Sequence, residues 1–512
     1  MIAQYLILFG YFAALFLIGI FASRRIHNLR DYFVGGKRMG YWVVAFSARA
    51  TGESAWLLLG LTGLGAMVGM SAFWVVAGEV IGVGIAWFLM AHPFKHATDR
   101  FDSVTVPDFL VSKFTDGVSK SARLIRLLSA GALALFVTIY VSAQIDATGK
   151  AFESFLGWNY YAGALAGFGI VVLYTFSGGF VAVSWSDLFQ GLLMLLGLVS
   201  VPVFAWFALA PNQGLVRSLG AIDAGLLDPW GSGGLTLKNA CIIVSYAAVG
   251  LGFLGSPQIF VRFISIKNEA DINRGRWVAL AYTLLTDAGA VLTGMLGRVL
   301  LTGPDVPVEP ALGTAAESIL PLLVQHLFPT IIVGLFIAAV LSAIMSTIDS
   351  LLVVASSAVT RDLYQQMYHP GLPDESLTRL SRTVTLALAG LALAIALTVS
   401  VLSPDRTVFW FVIFGWSGIA ATFCPGILLS LFWRGFNASG LIASMIVGFV
   451  CVPLFKFVFP LLPTAGPFIS LLGEMAPSIF VALLAGIVSS KLKPNPKRPT
   501  VTSPSSVLRT SD

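Results

Sequence analysis

Apolar residues occur in this chain as long blocks, not in alternation. Runs such as Ala130–Tyr140 are too continuous for the strands of a membrane β-barrel. Many blocks reach the ~20 residues that carry a helix across a bilayer. The pattern predicts thirteen helical spans, at about 4–22, 41–70, 72–92, 124–148, 158–177, 183–209, 238–258, 277–301, 320–358, 380–402, 407–433, 438–460 and 470–490. The ninth is too long for one crossing, so 320–328 reads as a separate short helix outside it. The first run, Tyr5–Ala22, is followed by Ser23, Arg24 and Arg25, which favours a span over a removable leader. The Gly/Pro-rich segments 210–237 and 302–319 read as short helices or caps. The Pro/Ser/Thr-rich tail reads as disordered.

Two blocks carry polar interruptions. Between Tyr41 and Met70 stand Arg49, Thr51, Gly52, Glu53 and Ser54. Ionisable groups at membrane depth are costly and mark ion or substrate pathways. Glycine weakens a helix, and broken backbone survives in a membrane only where it lines a cavity or packs on protein. Five spans later, Gly250-Leu-Gly-Phe-Leu-Gly-Ser-Pro257 predicts a second break. Matching interruptions in two halves point to a transporter site. A shift of five spans inverts the second half in the membrane, so spans 2–6 and 7–11 read as inverted repeats.

Composition agrees with this pattern. The chain has 512 residues, 57% hydrophobic and 11% charged, against about 25% charged in soluble domains. The reading is an all-α polytopic membrane protein. Its formal net charge of +6 reflects topology, not nucleic acid. With the N-terminus outside, twenty-four Lys and Arg fall on the cytoplasmic side and six outside, with Arg49 inside a span. That places the C-terminus in the cytoplasm. Cys241, Cys424 and Cys451 lie in apolar runs as small hydrophobes without metal-ligand spacing. The five histidines form no catalytic cluster. An enzyme is not expected, nor any cofactor beyond a coupling ion.

Span 9 contains Ser342-Ala-Ile-Met-Ser-Thr-Ile-Asp-Ser350. Small hydroxyl residues commonly just pack helices. Here Ser346 and Thr347 are adjacent, with Ala343 one turn earlier. Hydroxyls together with carbonyls freed at a break are hard oxygen ligands of the kind hard cations prefer. Spans 2 and 9 therefore could share one sodium site.

On six segments the chain resembles the solute:sodium symporter family: Asp31–Gly36, Ser54–Gly60, Phe136–Tyr140, Tyr174–Asp187, Gly250–Phe263 and Ala343–Thr347. Within that family it is most similar to the sodium/proline symporter branch. The resemblance implies a LeuT-type 5+5 inverted-repeat core with one extra N-terminal and two extra C-terminal helices. It implies sodium ligands at the carbonyls of Ala50, Glu53 and Ala343 and the hydroxyls of Ser346 and Thr347. It implies an ion-path or second-cation role for Asp187, to which the sequence adds Asp349. Carried-over solute positions are Ser54, Trp56, Tyr140 and Pro257. The chain departs from the branch at Gly52, where an aspartate is expected, and at Glu53, where methionine is usual. It also has Val249 for a tryptophan, Phe253 for a tyrosine and Arg49 for a small residue. These changes widen the solute pocket and make it less aromatic.

Arg49 and Glu53 are four apart, so on a continuous helix they face each other. Three readings stay open: a mutually neutralising pair, a Glu53 that tunes the cation or solute site, or a Glu53 that takes up a proton. Arg49 is also a candidate inner-gate partner of Asp349 or Asp187. Asp146 and Lys150 read as a local pair near the outer surface. Glu79 and Asp287 read as lone acids without a role.

The organisation expected is an N-terminal span and connection (1–40), a first repeat (41–209), an extracellular segment (210–237), a second repeat (238–435), two C-terminal spans (436–490) and a disordered cytoplasmic tail (491–512). The function expected is sodium-driven symport of a small organic solute, an amino acid such as proline or a proline-like compound, by a monomer in the plasma (inner) membrane. A proton-coupled symporter, a solute sensor and a facilitator are the alternatives.

Overall fold

The computed structural model describes residues 2–24, 29–175, 179–209, 214–303 and 306–494. The expected disordered tail lies outside the described residues from 495 on. Among the described residues there is no β-strand; a single bridge joins Met39 and Ile266. The main helices are α1 (Ile2–Ser23), α2 (Tyr41–Gly52), α3 (Thr62–Val68, entered through a π turn at Trp56–Leu61), α4 (Phe73–Ile85) and α5 (Lys120–Leu156). They continue with α6 (Tyr160–Thr175), α7 (Gly179–Ala208), α8 (Leu237–Ala248), α9 (Pro257–Ser265), α10 (Glu269–Leu301) and α11 (Ile319–Leu327). The last are α12 (Thr330–Ser357), α13 (Asp374–Leu402), α14 (Val408–Phe432), α15 (Ala438–Pro453) and α16 (Met475–Leu492).

Eleven of the described helical runs are long and apolar enough to cross a membrane. One of them, Trp56–Arg100, folds back at Gly69, whose φ of +58° needs glycine, so it holds two of the expected spans. The expected short helix before span 9 is α11, set off from α12 by Phe328 and Pro329.

Local signals set the helix ends. The Ser119 hydroxyl caps α5 by accepting from the Ala122 N–H, and Gly157 ends it at φ +67°. Asn268 caps α10, with Glu269 and Asp271 in its first turn, where carboxylates suit the helix dipole. Thr407 and Asn437 cap α14 and α15 in the same way.

The core is formed around α2, α5, α7, α10, α12 and α14. The α12 helix is buried along its length from Phe336 to Ser357, so it is central, not lipid-facing. Glycines let backbones touch where side chains would separate them. A Cβ on Gly250 would lie 1.9 Å from the Gly78 carbonyl oxygen, and one on Gly82 would lie 2.0 Å from that of Gly250. This seam fixes α4 against the segment after α8. A second contact joins α3 to α10, where a Cβ on Gly294 would meet the Thr62 carbonyl oxygen at 2.0 Å.

The seam yields a stability prediction. Gly250→Ala forces two backbones apart and should cost about 1–3 kcal/mol, as overpacking does. Gly131 on α5 has nothing within 4 Å of a built Cβ, so Gly131→Ala should be neutral or slightly stabilising. Thermal unfolding midpoints of both variants in detergent check this. Equal midpoints would refute the contact.

Candidate ion and solute site

The two breaks fall where the sequence places them. The α2 helix stops at Gly52, and Glu53 takes φ −97° and ψ 88°, outside helical geometry. After α8, a 3₁₀ turn over Val249–Leu254 leads to Gly255 at φ +155°, and Pro257 opens α9 at its first position. Backbone groups freed in this way must find partners inside the protein.

Each break recruits side chains for this. The Trp56 indole donates to the Gly52 carbonyl at 3.0 Å. The Gln144 side-chain oxygen accepts from the Ala55 N–H at 3.1 Å, and its amide nitrogen donates to the Ser54 hydroxyl at 3.0 Å. At the second break, the Trp416 indole donates to the Val249 carbonyl at 3.0 Å.

Span 9 closes on span 2 here. The Ser346 hydroxyl lies 2.9 Å from the Ala50 carbonyl and 3.2 Å from that of Ala343. The Thr347 hydroxyl donates to the Thr51 carbonyl at 3.2 Å. These residues are fully or almost fully buried. Hydroxyls and carbonyls so spaced form a dry, neutral oxygen cluster, chemically suited to a hard monovalent cation.

The expected solute residues divide into two groups. Tyr140, Val249 and Phe253 converge around Trp416, and Ser54 joins them through Tyr140. The Trp416 ring stands 5.2 Å from Phe253 and 6.3 Å from Tyr140, and Tyr140 reaches Ser54 at 3.4 Å. Trp56 instead turns its indole nitrogen to backbone and its ring against Phe409, 6.0 Å away. Pro257 is buried at the head of α9. Gly52 fits this wall because a Cβ there would lie 2.6 Å from the Phe253 ring.

Comparison with known proteins bears on this arrangement. The model of the sodium:solute symporter family matches residues 32–448. The chain belongs to the sodium:solute symporter family. It is 34% identical to the osmoregulated proline transporter OpuE of Bacillus subtilis over 95% of this chain and 94% of that protein. It is 36% identical to the high-affinity proline transporter PutP of the same organism, over 84% and 88%. It is 34% identical to the sodium/proline symporter of Escherichia coli, over 87% and 86%. A solved Na+-coupled sialic acid symporter, substrate-bound and outward-open, shares the fold with a TM-score of 0.74 at 19% identity, over 97% and 99% of the two chains. This chain is thus a multi-pass membrane transporter, not an enzyme.

The charged groups of this symporter differ from the sequence-based expectation. Asp187 pairs with Arg262, not Arg49. The Arg262 guanidinium lies 3.1 Å from the Asp187 carboxylate and donates to Thr51 at 2.7 Å and Ser47 at 3.1 Å, with Ser350 as a further partner. Ser47 also donates to Asp187 at 2.6 Å. The reason is position: α9 begins at the second break and brings Arg262 beneath α2. Arg262 is 1% exposed. Asp349 is buried on α12.

Arg49 turns the other way. Its Nε donates to Glu53 at 2.9 Å and its Nη2 to Glu79 at 3.0 Å, while its guanidinium lies 4.6 Å from the Phe253 ring centre. Glu79 is therefore not a lone acid, and Asp287 has a carboxylate oxygen within 4.8 Å of those of Glu53 and Glu79.

Near the C-terminal end of α5, Asp146 lies 4.0 Å from Lys150. Its stronger partners are Arg406 and the Tyr160 hydroxyl, the latter at 2.7 Å. Lys150 pairs with Glu317 at 3.0 Å. Lys150, Tyr160, Glu317 and Arg406 line a cavity of about 450 Å³ that Leu59, three residues beyond Trp56, also lines. Gln144 was legible as a neighbour of Tyr140, four residues on along one helix face. Trp416 carried no local signal, while Ser350 and Arg262 lie in stretches the sequence marks without showing that they meet.

The Arg262 contact is testable. Arg262→Gln strands a buried carboxylate and should cost about 3–5 kcal/mol. Asp187→Asn in the same chain should restore most of that loss. Thermal unfolding of the single and double variants measures the coupling, and additive losses would refute it.

Proposed function

We propose that this protein is a secondary active symporter in which downhill sodium entry drives import of a small organic solute, with proline or a proline-like amino acid as the solute class. The observation that carries this reading is the junction of Ser346 and Thr347 with the Ala50 and Thr51 carbonyls at the first break. Sodium at Ala50, Glu53, Ala343, Ser346 and Thr347 would hold α12 against broken α2 and favour one conformer. The same break presents Ser54 to the solute, so ion and solute stabilise one backbone geometry. Each then raises the affinity of the other by the same factor. Family membership and the proline-transporting relatives support the solute class. The loss of a tryptophan at Val249 and a tyrosine hydroxyl at Phe253 supports a solute somewhat larger than proline.

Alternating access follows from this design, with the Asp187–Arg262 pair as an inner closure and the Asp146–Arg406 and Lys150–Glu317 pairs as an outer one. The orientation proposed, N-terminus outside and C-terminus in the cytoplasm, rests on the distribution of Lys and Arg.

In proteoliposomes, uptake of labelled proline or its analogues should require an inward sodium gradient. Losing a hydroxyl ligand to a buried ion costs about 1–3 kcal/mol, or ~10–100-fold in affinity. Ser346→Ala and Thr347→Ala should therefore raise the sodium concentration for half-maximal uptake by at least tenfold. Uptake that ignores sodium and collapses with the proton gradient would overturn the reading.

A further inference from the structure

Glu53, Glu79 and Asp287 come from three separate elements: the break after α2, the middle of α4 and the middle of α10. A carboxylate oxygen of each lies within 4.8 Å of the other two, and all three residues are at most 1% exposed. Arg49 is the cation that the described residues place against them. Three carboxylates against one guanidinium leave two formal negative charges. The neighbouring Arg262 is already matched by Asp187. The nearby tyrosine hydroxyls are engaged elsewhere, Tyr282 on the Gly191 carbonyl at 3.0 Å and Tyr140 on Ser54. An uncompensated charge in a dry interior is strongly unfavourable.

The hydrogen bonding is incomplete in the same place. Glu53 Oε2, Glu79 Oε1 and Asp287 Oδ2 have no partner, and neither has Arg49 Nη1. Buried polar atoms without partners are rare and call for a ligand or other explanation. Arg49 already engages Glu53 Oε1 and Glu79 Oε2. That leaves three free carboxylate oxygens, too few for a calcium-like ion with its 6–8 oxygen ligands. Three oxygens do match the three N–H donors of an ammonium group, and sodium takes oxygen donors of the same kind. The Phe253 ring packs on Arg49 and on Gly52.

We propose that Glu53, Glu79 and Asp287 form a second cation site, separate from the hydroxyl site on α12, which takes a compact monovalent cation: a further sodium ion or the ammonium head of the solute. Glu53 joins the two sites, offering its backbone carbonyl to one and its carboxylate to the other. Arg49 is the built-in counter-charge that holds Glu53 and Glu79 in place when the cation is absent. The solute arm of this proposal rests on the symporter reading; the ion arm does not.

Binding to the purified full-length protein tests it. In a choline-replaced buffer, radioactive sodium should bind at two per chain if the occupant is the ion. Glu79→Gln and Asp287→Asn should each leave one, and the double change Ser346→Ala/Thr347→Ala should remove the other. If the occupant is the solute's ammonium, sodium binds at one per chain. Methylammonium at saturating sodium should then raise the melting temperature, with at least a tenfold loss of affinity in Asp287→Asn. A wild-type protein that binds one sodium and gains nothing from methylammonium overturns the proposal without any variant. So does binding that Glu79→Gln and Asp287→Asn leave unchanged. Failure of the Ser346/Thr347 change alone counts against the first site, not this one.

Discussion

A helix interrupted inside a membrane exposes N–H and carbonyl groups where no water can take them up. Each orphan group costs several kcal/mol in hydrocarbon, so the surrounding helices must supply partners. In this protein, that requirement shapes the whole centre of the molecule. Trp56 and Gln144 satisfy one break and Trp416 the other. The hydroxyls of Ser346 and Thr347 take the carbonyls that remain at the end of α2. In the proposed function, the groups that stabilise the break are thereby the groups that a cation or a solute would meet. Binding proposed at this place would exchange one set of oxygen contacts for another, not fill a ready-made hole.

The buried charges obey a related constraint. Arg49 and Arg262 each have a carboxylate partner from another helix, so the charge pattern also records which helices are held together. Arg262 ties α9 to α2, α7 and α12. Arg49 ties the break to α4. Where the count of charges does not balance, around Asp287, the fold carries a demand that its own residues leave unmet.

Much of this architecture is legible in the chain because its signals are local. Hydrophobic runs, Gly52 and the Gly250–Pro257 stretch place the helices and both breaks within a few residues. The hydroxyl pair on α12 is legible for the same reason. Arg262 is not, because it lies nine residues after Phe253 in a stretch that reads as the edge of a cytoplasmic connection. Only the second break shows that it folds back under α2. Glu79 and Asp287 are 208 positions apart in the sequence, and neither has a neighbour that hints at the other. Arg49 shows the opposite difficulty: its local partner Glu53 is visible at a spacing of four, yet the sequence alone gives its second partner as Asp187 or Asp349. Pairing across helices depends on rotation about each axis, which hydrophobic pattern alone defines poorly when a helix is apolar all round.

The glycine seam between α4 and the second break has a mechanical consequence. With the carbonyl of Gly78 against Gly250 and that of Gly250 against Gly82, the two segments mesh like gear teeth at a fixed pitch. A slide by one residue would drive Val249 or Leu251 into the opposing backbone. The seam therefore resists shear, and the two segments must travel as one lever arm. Any motion that opens the centre to one side of the membrane has to pivot elsewhere, at joints where side chains, not bare backbones, face each other.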